Sequence, residues 1–337
     1  MSMYALIYFE AKKGNSMAKW TVADIPSQRG KLAIVTGAHS GIGWNTALEL
    51  ARAGGEVILT ARTKAKGQDT IDRIRRQLPQ AKVRFELLDL ASQRSVRAFA
   101  AKINSSEARL DLLVNNAGVM RIPRREVTED GFEMQFGTNY FGPFALTLLL
   151  LPALQQAPSP RVTTVSSGAA NMGLKKINFD DLQWEKSYAP WNAYCQSKLA
   201  DLMLMLELAR RSSADGIRLI SNAAHPGFAR TNLQTSGPGR QLNLLERSIM
   251  PLMSHDAASG ALPTLRAATS PDASSGTYFA PERLFNLKGD CIPVKLPKPA
   301  LDEVAARRLW EISERLTGVG WPSGERVVTA MISQHHL

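Results

Sequence analysis

At 337 residues and 44% hydrophobic content the chain can bury one large core, and 41 Lys plus Arg against 30 Asp plus Glu leave it with a net charge of +11. Such an excess suits nucleotide phosphates, nucleic acid or an anionic surface without choosing among them, and most of it reads as a solvated basic exterior. Cys195 and Cys291, the two cysteines, belong to no CxxC pair or metal-ligand cluster. Structural disulfides, zinc and metal catalysis are therefore not expected, and a reducing compartment is.

The opening "MSMYALIYFEAKKG" carries Glu10 where a signal peptide needs an unbroken apolar run, which favours a cytoplasmic protein. Met17 begins a stretch that reads as a natural start, so residues 1–16 are expected to be an extension and 1–30 a lead-in. From residue 31, β-branched runs alternate with helical patterns. The runs are "KLAIVT" (31–36), "EVILT" (56–60), "KVRFELL" (82–88), "LDLLVN" (110–115), "RVTTVS" (161–166) and "IRLISNAA" (217–224). Helical segments at 43–53, 66–78, 92–106, 132–154 and 192–211 lie between them. This alternation predicts an α/β fold: a single doubly wound parallel sheet of Rossmann type over 31–318, with helices on both faces, followed by a tail at 319–337. The most apolar stretch, "YFGPFALTLLLLPAL" (140–154), is too short for a membrane span and reads as a buried helix.

In such sheets ligands bind beyond the carboxyl ends of the strands, and the motifs lie there. After the first strand, "TGAHSGIG" sets Gly37, Gly41 and Gly43 around His39, Ser40 and Ile42, a sharp turn leading into a helix whose free N–H groups suit a pyrophosphate. Its G-x3-G-x-G spacing departs from the G-x-G-x-x-G fingerprint. The second strand ends "LTARTKAKG", with Arg62 and Lys64 where an acid would hold a ribose 2′-hydroxyl. Either they accommodate a 2′-phosphate, which selects NADP(H), or they are solvated loop cations. Asp89 and Leu90 close the third strand, where Asp89 suits an adenine amino group or a helix start. "NNAG" after the fourth brings Asn116, Ala117 and Gly118, either to pack backbone beside a ring or simply to turn. Asn139 stands inside an apolar helix, where a carboxamide needs partners whether its role is structural or functional.

Ser166 and Ser167 end the fifth strand. "HPGFART" (225–231) follows the sixth, with Pro226 and Gly227 forcing a turn and Thr231 able to bond a cofactor amide. His225, which immediately precedes that turn with no carboxylate partner evident, is discounted as an acid or base. The helix at 192–211 opens with Tyr194 and Lys198, one turn apart on one face, so that a phenol and an ammonium can share a pocket.

In this order "TGAHSGIG", "NNAG", Asn139, Ser167, Tyr194-x-x-x-Lys198 and "HPG…T" resemble the short-chain dehydrogenase/reductase family over about residues 30–318. Within it, the "TAR" strand end and "LWEISERLTGV" (309–319) resemble the branch of retinol dehydrogenases, protochlorophyllide-reductase-like and WW-domain-oxidoreductase-like proteins. The resemblance implies an NADP(H)-dependent oxidoreductase acting on a ketone, aldehyde or alcohol. It makes Tyr194 the general acid or base and gives Lys198 the tasks of lowering the phenol's pKa and bonding the nicotinamide ribose. Ser167 would hold the substrate oxygen and Asn139 would keep a water-mediated proton relay in place. A phenol with a pKa of about 10 needs roughly 4 kcal/mol to be poised near neutrality. A cation about 4 Å away at an effective dielectric of about 20 contributes roughly that much, so one lysine suffices, helped by the oxidised nicotinamide's charge.

The insertion 171–192 is rich in aromatics, with Trp184, Tyr188 and Trp191 lining a pocket or covering an interface. In some relatives such an insertion blocks tetramer formation, which implies a monomer or homodimer here. Residues 232–256 read as a substrate lid or as a plain helical connection. A fairly apolar small-molecule carbonyl or alcohol is the expected partner. Two other readings stand against the enzyme: a catalytically idle NADP-binding sensor or scaffold, which loss of Ser, Tyr or Lys would mark, and nucleic-acid binding driven by charge, for which no motif is present.

Overall fold

The computed structural model describes residues 19–228, 256–283 and 286–322. Among them an eight-stranded sheet runs in the order β3-β2-β1-β4-β5-β6-β7-β8. The six anticipated strands are β1 (Leu32–Val35), β2 (Glu56–Ala61), β3 (Val83–Leu87), β4 (Leu112–Asn115), β5 (Arg161–Val165) and β6 (Ile220–Ala224). All pair in parallel. Two further strands, β7 (Tyr278–Arg283) and β8 (Lys288–Pro293), extend the sheet, β7 parallel to β6 and β8 antiparallel at the edge.

Side chains alternate across the strands and feed two cores, which is why the central strands β1, β2 and β4 are largely apolar. Ile34, Ile58, Leu113 and Val162 point to one face. There they meet α3 (Gln93–Ser106), α5 (Gly142–Leu149), α6 (Leu151–Gln155), α7 (Pro190–Ala214) and α9 (Glu303–Thr317), the last burying Trp310 at 1% exposure. Ala33, Val35, Val57, Leu59 and Val114 point to the other face, against α1 (Gly41–Arg52), α2 (Lys64–Gln77) and α8 (Ala257–Thr269). The short α4 (Met134–Phe136) leads into a π-helical turn, Gly137–Phe141, before α5. The expected single helix over 132–154 is thus broken, and Asn139 sits in the break.

Trp20 of the lead-in packs into the second core, and beyond residue 318 Val319 is buried while Trp321 stacks edge-on against Trp310 at 5.9 Å. The extension 1–16, Thr231 and the anticipated lid, apart from Asp256, lie outside the described residues. No helix among the described residues is long and apolar enough to cross a membrane, and the run at 140–154 is buried in the core.

Candidate active site

The chain's first crossovers carry it outward from β1 to β3, and the next returns it to β4 on the other side of β1. That reversal opens a crevice at the carboxyl ends of β1 and β4. Val35 and Val114 are paired, so the two following loops leave the sheet side by side. Thr36 ties them together: its Oγ1 accepts from the Asn116 N–H at 2.9 Å and the Ala117 N–H at 3.0 Å. Asn116 Nδ2 donates to the Thr36 carbonyl at 2.8 Å. Asn115, its neighbour, turns away to donate to Thr147 Oγ1 in α5 at 3.0 Å.

Glycine is required here. Gly37 has φ +64°, and a Cβ on it would stand 2.9 Å from Ala117 Cα. A Cβ on Gly43 would stand 2.8 Å from the Gly37 carbonyl. Ser40 is the N-cap of α1 with no side-chain cap bond, so N–H groups at that helix start remain for a ligand. Beyond the turn, burial lowers the His39 pKa, and the charges of Lys66, Arg62 and Arg73 lower it further. Arg73 also donates to the His39 carbonyl at 3.0 Å. The cationic rim is therefore Arg62, Lys66 and Arg73. Lys64, named from the sequence, is exposed in the first turn of α2 and does not figure among the charges acting on His39.

Asp89 caps its own turn, Oδ1 accepting from the Ala91 N–H at 3.0 Å, and Ser92 rather than Asp89 caps α3. The Leu90 side chain belongs to the core, so only its backbone is available to a ligand. Past β6, the His225 ring is buried and Nδ1 accepts from the Gly227 N–H at 3.2 Å, closing the turn where Gly227 has φ +71°. Pro226 lies within the same turn.

The four candidate catalytic residues converge from three elements. Asn139 donates through Nδ2 to the Val119 carbonyl and to Ser197 Oγ, both at 2.9 Å, and its Oδ1 accepts from the Val119 N–H at 2.7 Å. It fixes the loop that carries Gly118 beside Lys198: a Cβ on Gly118 would lie 3.1 Å from Asn139 Oδ1 and 3.7 Å from Lys198 Nζ. Ser166 is engaged with the Lys198 carbonyl, whereas Ser167, the N-cap of the turn Gly168–Asn171, acts on the Tyr194 phenol and opposes the rise in its pKa. Tyr194 and Lys198 are 4% and 5% exposed on the inward face of α7.

Burial raises the Tyr194 phenol above its ordinary pKa, and Lys198 and Ser167 only partly oppose it. Asp201, whose Oδ2 lies 2.8 Å from Lys198 Nζ, adds a smaller upward push on Tyr194. Sequence reading passed over Asp201, although its place one turn beyond Lys198 on the same face was visible.

Trp191 of the insertion stacks beside Tyr194, centroids 5.7 Å apart, with the Arg121 guanidinium over its other side at 5.4 Å. Trp184 is buried, and Tyr188 Oη donates to the Ile122 carbonyl at 2.7 Å, so of the three aromatics Trp191 faces the site. No group of side chains suited to a metal is present among the described residues.

Residues 31–179 match the family model for short chain dehydrogenases. Mouse retinol dehydrogenase 14 is 41% identical over 86% of each chain, and mouse retinol dehydrogenase 13 is 44% identical over 88% of this chain and 86% of its own. The chain belongs to the short-chain dehydrogenase family. Within the family it falls in the retinol-dehydrogenase-like branch, and it is an oxidoreductase of that fold. Among solved structures of similar fold, an uncharacterized protein from Mycobacterium paratuberculosis superposes with a TM-score of 0.75 at 40% identity, over 90% of this chain and all of that one. A short chain dehydrogenase from Escherichia coli CFT073, solved with NADPH, gives a TM-score of 0.55 at 25% identity over 76% of this chain and 97% of its own.

Proposed function

We propose that this short-chain dehydrogenase is an NADP(H)-dependent enzyme that interconverts a ketone or aldehyde and an alcohol on an apolar small molecule. The observation that carries it is the convergence of Ser167, Tyr194 and Lys198 beside the glycine turn, with Asn139 securing the loop between them. The turn fits a dinucleotide: Gly37 and Gly43 leave a cradle that a Cβ would fill, and the uncapped start of α1 offers donors to its phosphates. Arg62, Lys66 and Arg73 favour a 2′-phosphate, and the NADPH-bound relative supports that choice.

When bound, the dinucleotide supplies or accepts the hydride. In this reading Ser167 donates to the substrate oxygen, and Tyr194 hands that oxygen its phenolic proton during carbonyl reduction, or takes one back in the reverse direction. Lys198 uses two of its three N–H donors on Val165 and Asp201, leaving the third for a ribose hydroxyl. The exposed Trp191 ring gives the substrate an apolar wall. Relatives named for retinol and for polyprenol, both long apolar alcohols, support that substrate class. The two free, buried cysteines suit a reducing compartment.

The test follows NADPH absorbance with a panel of apolar aldehydes and ketones, alongside thermal unfolding with either dinucleotide. NADPH is expected to raise the Tm more than NADH and to be consumed. Stabilisation without consumption across the panel would favour an idle NADP sensor, and greater stabilisation by NADH would overturn the cofactor choice.

A further inference from the structure

We infer that Asp201 is a positioning residue of this active site, anchoring the Lys198 ammonium and offsetting its charge so that Tyr194 is kept as a proton donor at neutral pH. The inference rests on the reading of Tyr194 as the general acid and deepens it.

Tyr194, Lys198 and Asp201 occur at i, i+4 and i+7 of α7, a spacing that lines them up along one face. Asp201 is 1% exposed; Oδ2 takes a Lys198 proton at 2.8 Å, and Oδ1 has no hydrogen-bond partner among the described residues. A second Lys198 N–H goes to the Val165 carbonyl at 3.0 Å. Together the two acceptors hold the ammonium in one place with a single proton free.

An ion pair this buried is a poor device for stability, because desolvating both charges offsets their attraction, and an unsatisfied carboxylate oxygen adds to the cost. A neutral asparagine would accept the same lysine proton more cheaply. The charge therefore calls for an electrostatic role. Lys198 is the cation that bears on Asp201 among the described residues. From the other elements packed there, Asp201 is faced by two phenols, Tyr278 of β7 and Tyr140 of the π turn. Tyr140 shares a hydrogen bond with Ser313 of α9, and Glu207, which also acts on Tyr140, is paired with Arg210 and Arg211 further along α7. Burial raises the Asp201 carboxyl and Lys198 opposes that rise. What Tyr194 feels is thus a lysine–aspartate dipole and not a bare ammonium, and its phenol is harder to ionise as a result.

The decisive experiment is an ultraviolet pH titration of the Tyr194 phenolate, taken as the difference between each protein and its Tyr194→Phe counterpart, in wild type and Asp201→Asn. The Asn carboxamide oxygen can still accept from Lys198, so position is retained while charge is lost. The phenolate midpoint is expected to fall by about one pH unit, and the alkaline limit of NADPH-dependent aldehyde reduction to fall with it. A merely structural residue would lower the Tm and leave both unmoved; an unchanged or higher midpoint overturns the inference. Should the Asn variant fail to fold, Asp201→Ser, which leaves room for water, is read the same way. Turnover that survives Tyr194→Phe in the wild-type background overturns both the inference and the reading beneath it, whereas Tyr194-dependent turnover with an unmoved midpoint sinks the inference alone.

Discussion

Tyr194 occupies a site where burial, a cation and an anion all act on one phenol, and burial dominates. That balance suits proton donation better than a phenolate base poised in advance. At the neighbouring turn the constraint is steric. Gly43→Ala would drive a methyl group into the Gly37 carbonyl and the Asn116 carboxamide, both part of the cradle. We expect it to cost about 1–3 kcal/mol of stability and to weaken NADPH binding at least about tenfold, measured by thermal unfolding and fluorescence titration. Wild-type affinity in this variant would contradict the cradle. At this scale Tyr194, Lys198, Ser167 and Asn139 were legible because few residue types do their chemistry and each follows a strand or sits on a marked face. Asp201 was not, because an acid one turn from a lysine usually marks a surface pair, and only packing shows it 1% exposed. Lys66 went unnamed beside Lys64, because which lysine of the loop acts at the turn is decided by the fold and not by the strand end.

Elements were legible where local pattern and tertiary role agree. The central strands β1, β2 and β4 are buried on both faces and so carry largely apolar runs, and the edge strand β3 keeps the apolar–charged alternation of a half-buried strand. β7 and β8 show neither pattern: "YFAPER" and "KGDCIP" contain prolines and charges that an edge hairpin tolerates, and the pairing of β7 with β6 and of β8 with β7 makes them strands. The π turn at Asn139 was equally hidden, since its apolar neighbours suit either helix type. The insertion is tied down by Tyr188, which donates to the Ile122 carbonyl and accepts from Gln135 Nε2 at 3.1 Å. Burial, reinforced by Glu133, pushes that phenol up to about 12. Because the folded value exceeds the ordinary 10.0, its stabilising contribution is fully present below about pH 10 and is lost as pH rises through about 12. Tyr188→Phe should therefore lower stability by about 1 kcal/mol near pH 8 and flatten the alkaline loss between those limits, in denaturant titrations across pH. Equal alkaline slopes would remove Tyr188 from that role.

Across the whole molecule, one crevice gathers what the chemistry needs. The strand reversal between β1 and β4 places the glycine turn, the cationic rim lies beyond it, and α7 brings Tyr194, the proposed proton donor, to the same end of the sheet. The two cores hold this end rigid from both faces. Binding and chemistry are assigned to different residues, so they can be separated by experiment. The most direct measurement is NADPH consumption with an apolar aldehyde by Tyr194→Phe, paired with the NADPH-induced rise in Tm of the same variant. Turnover falling by at least about a thousandfold, with the rise in Tm kept, is the predicted result; turnover within about tenfold of wild type would contradict the account.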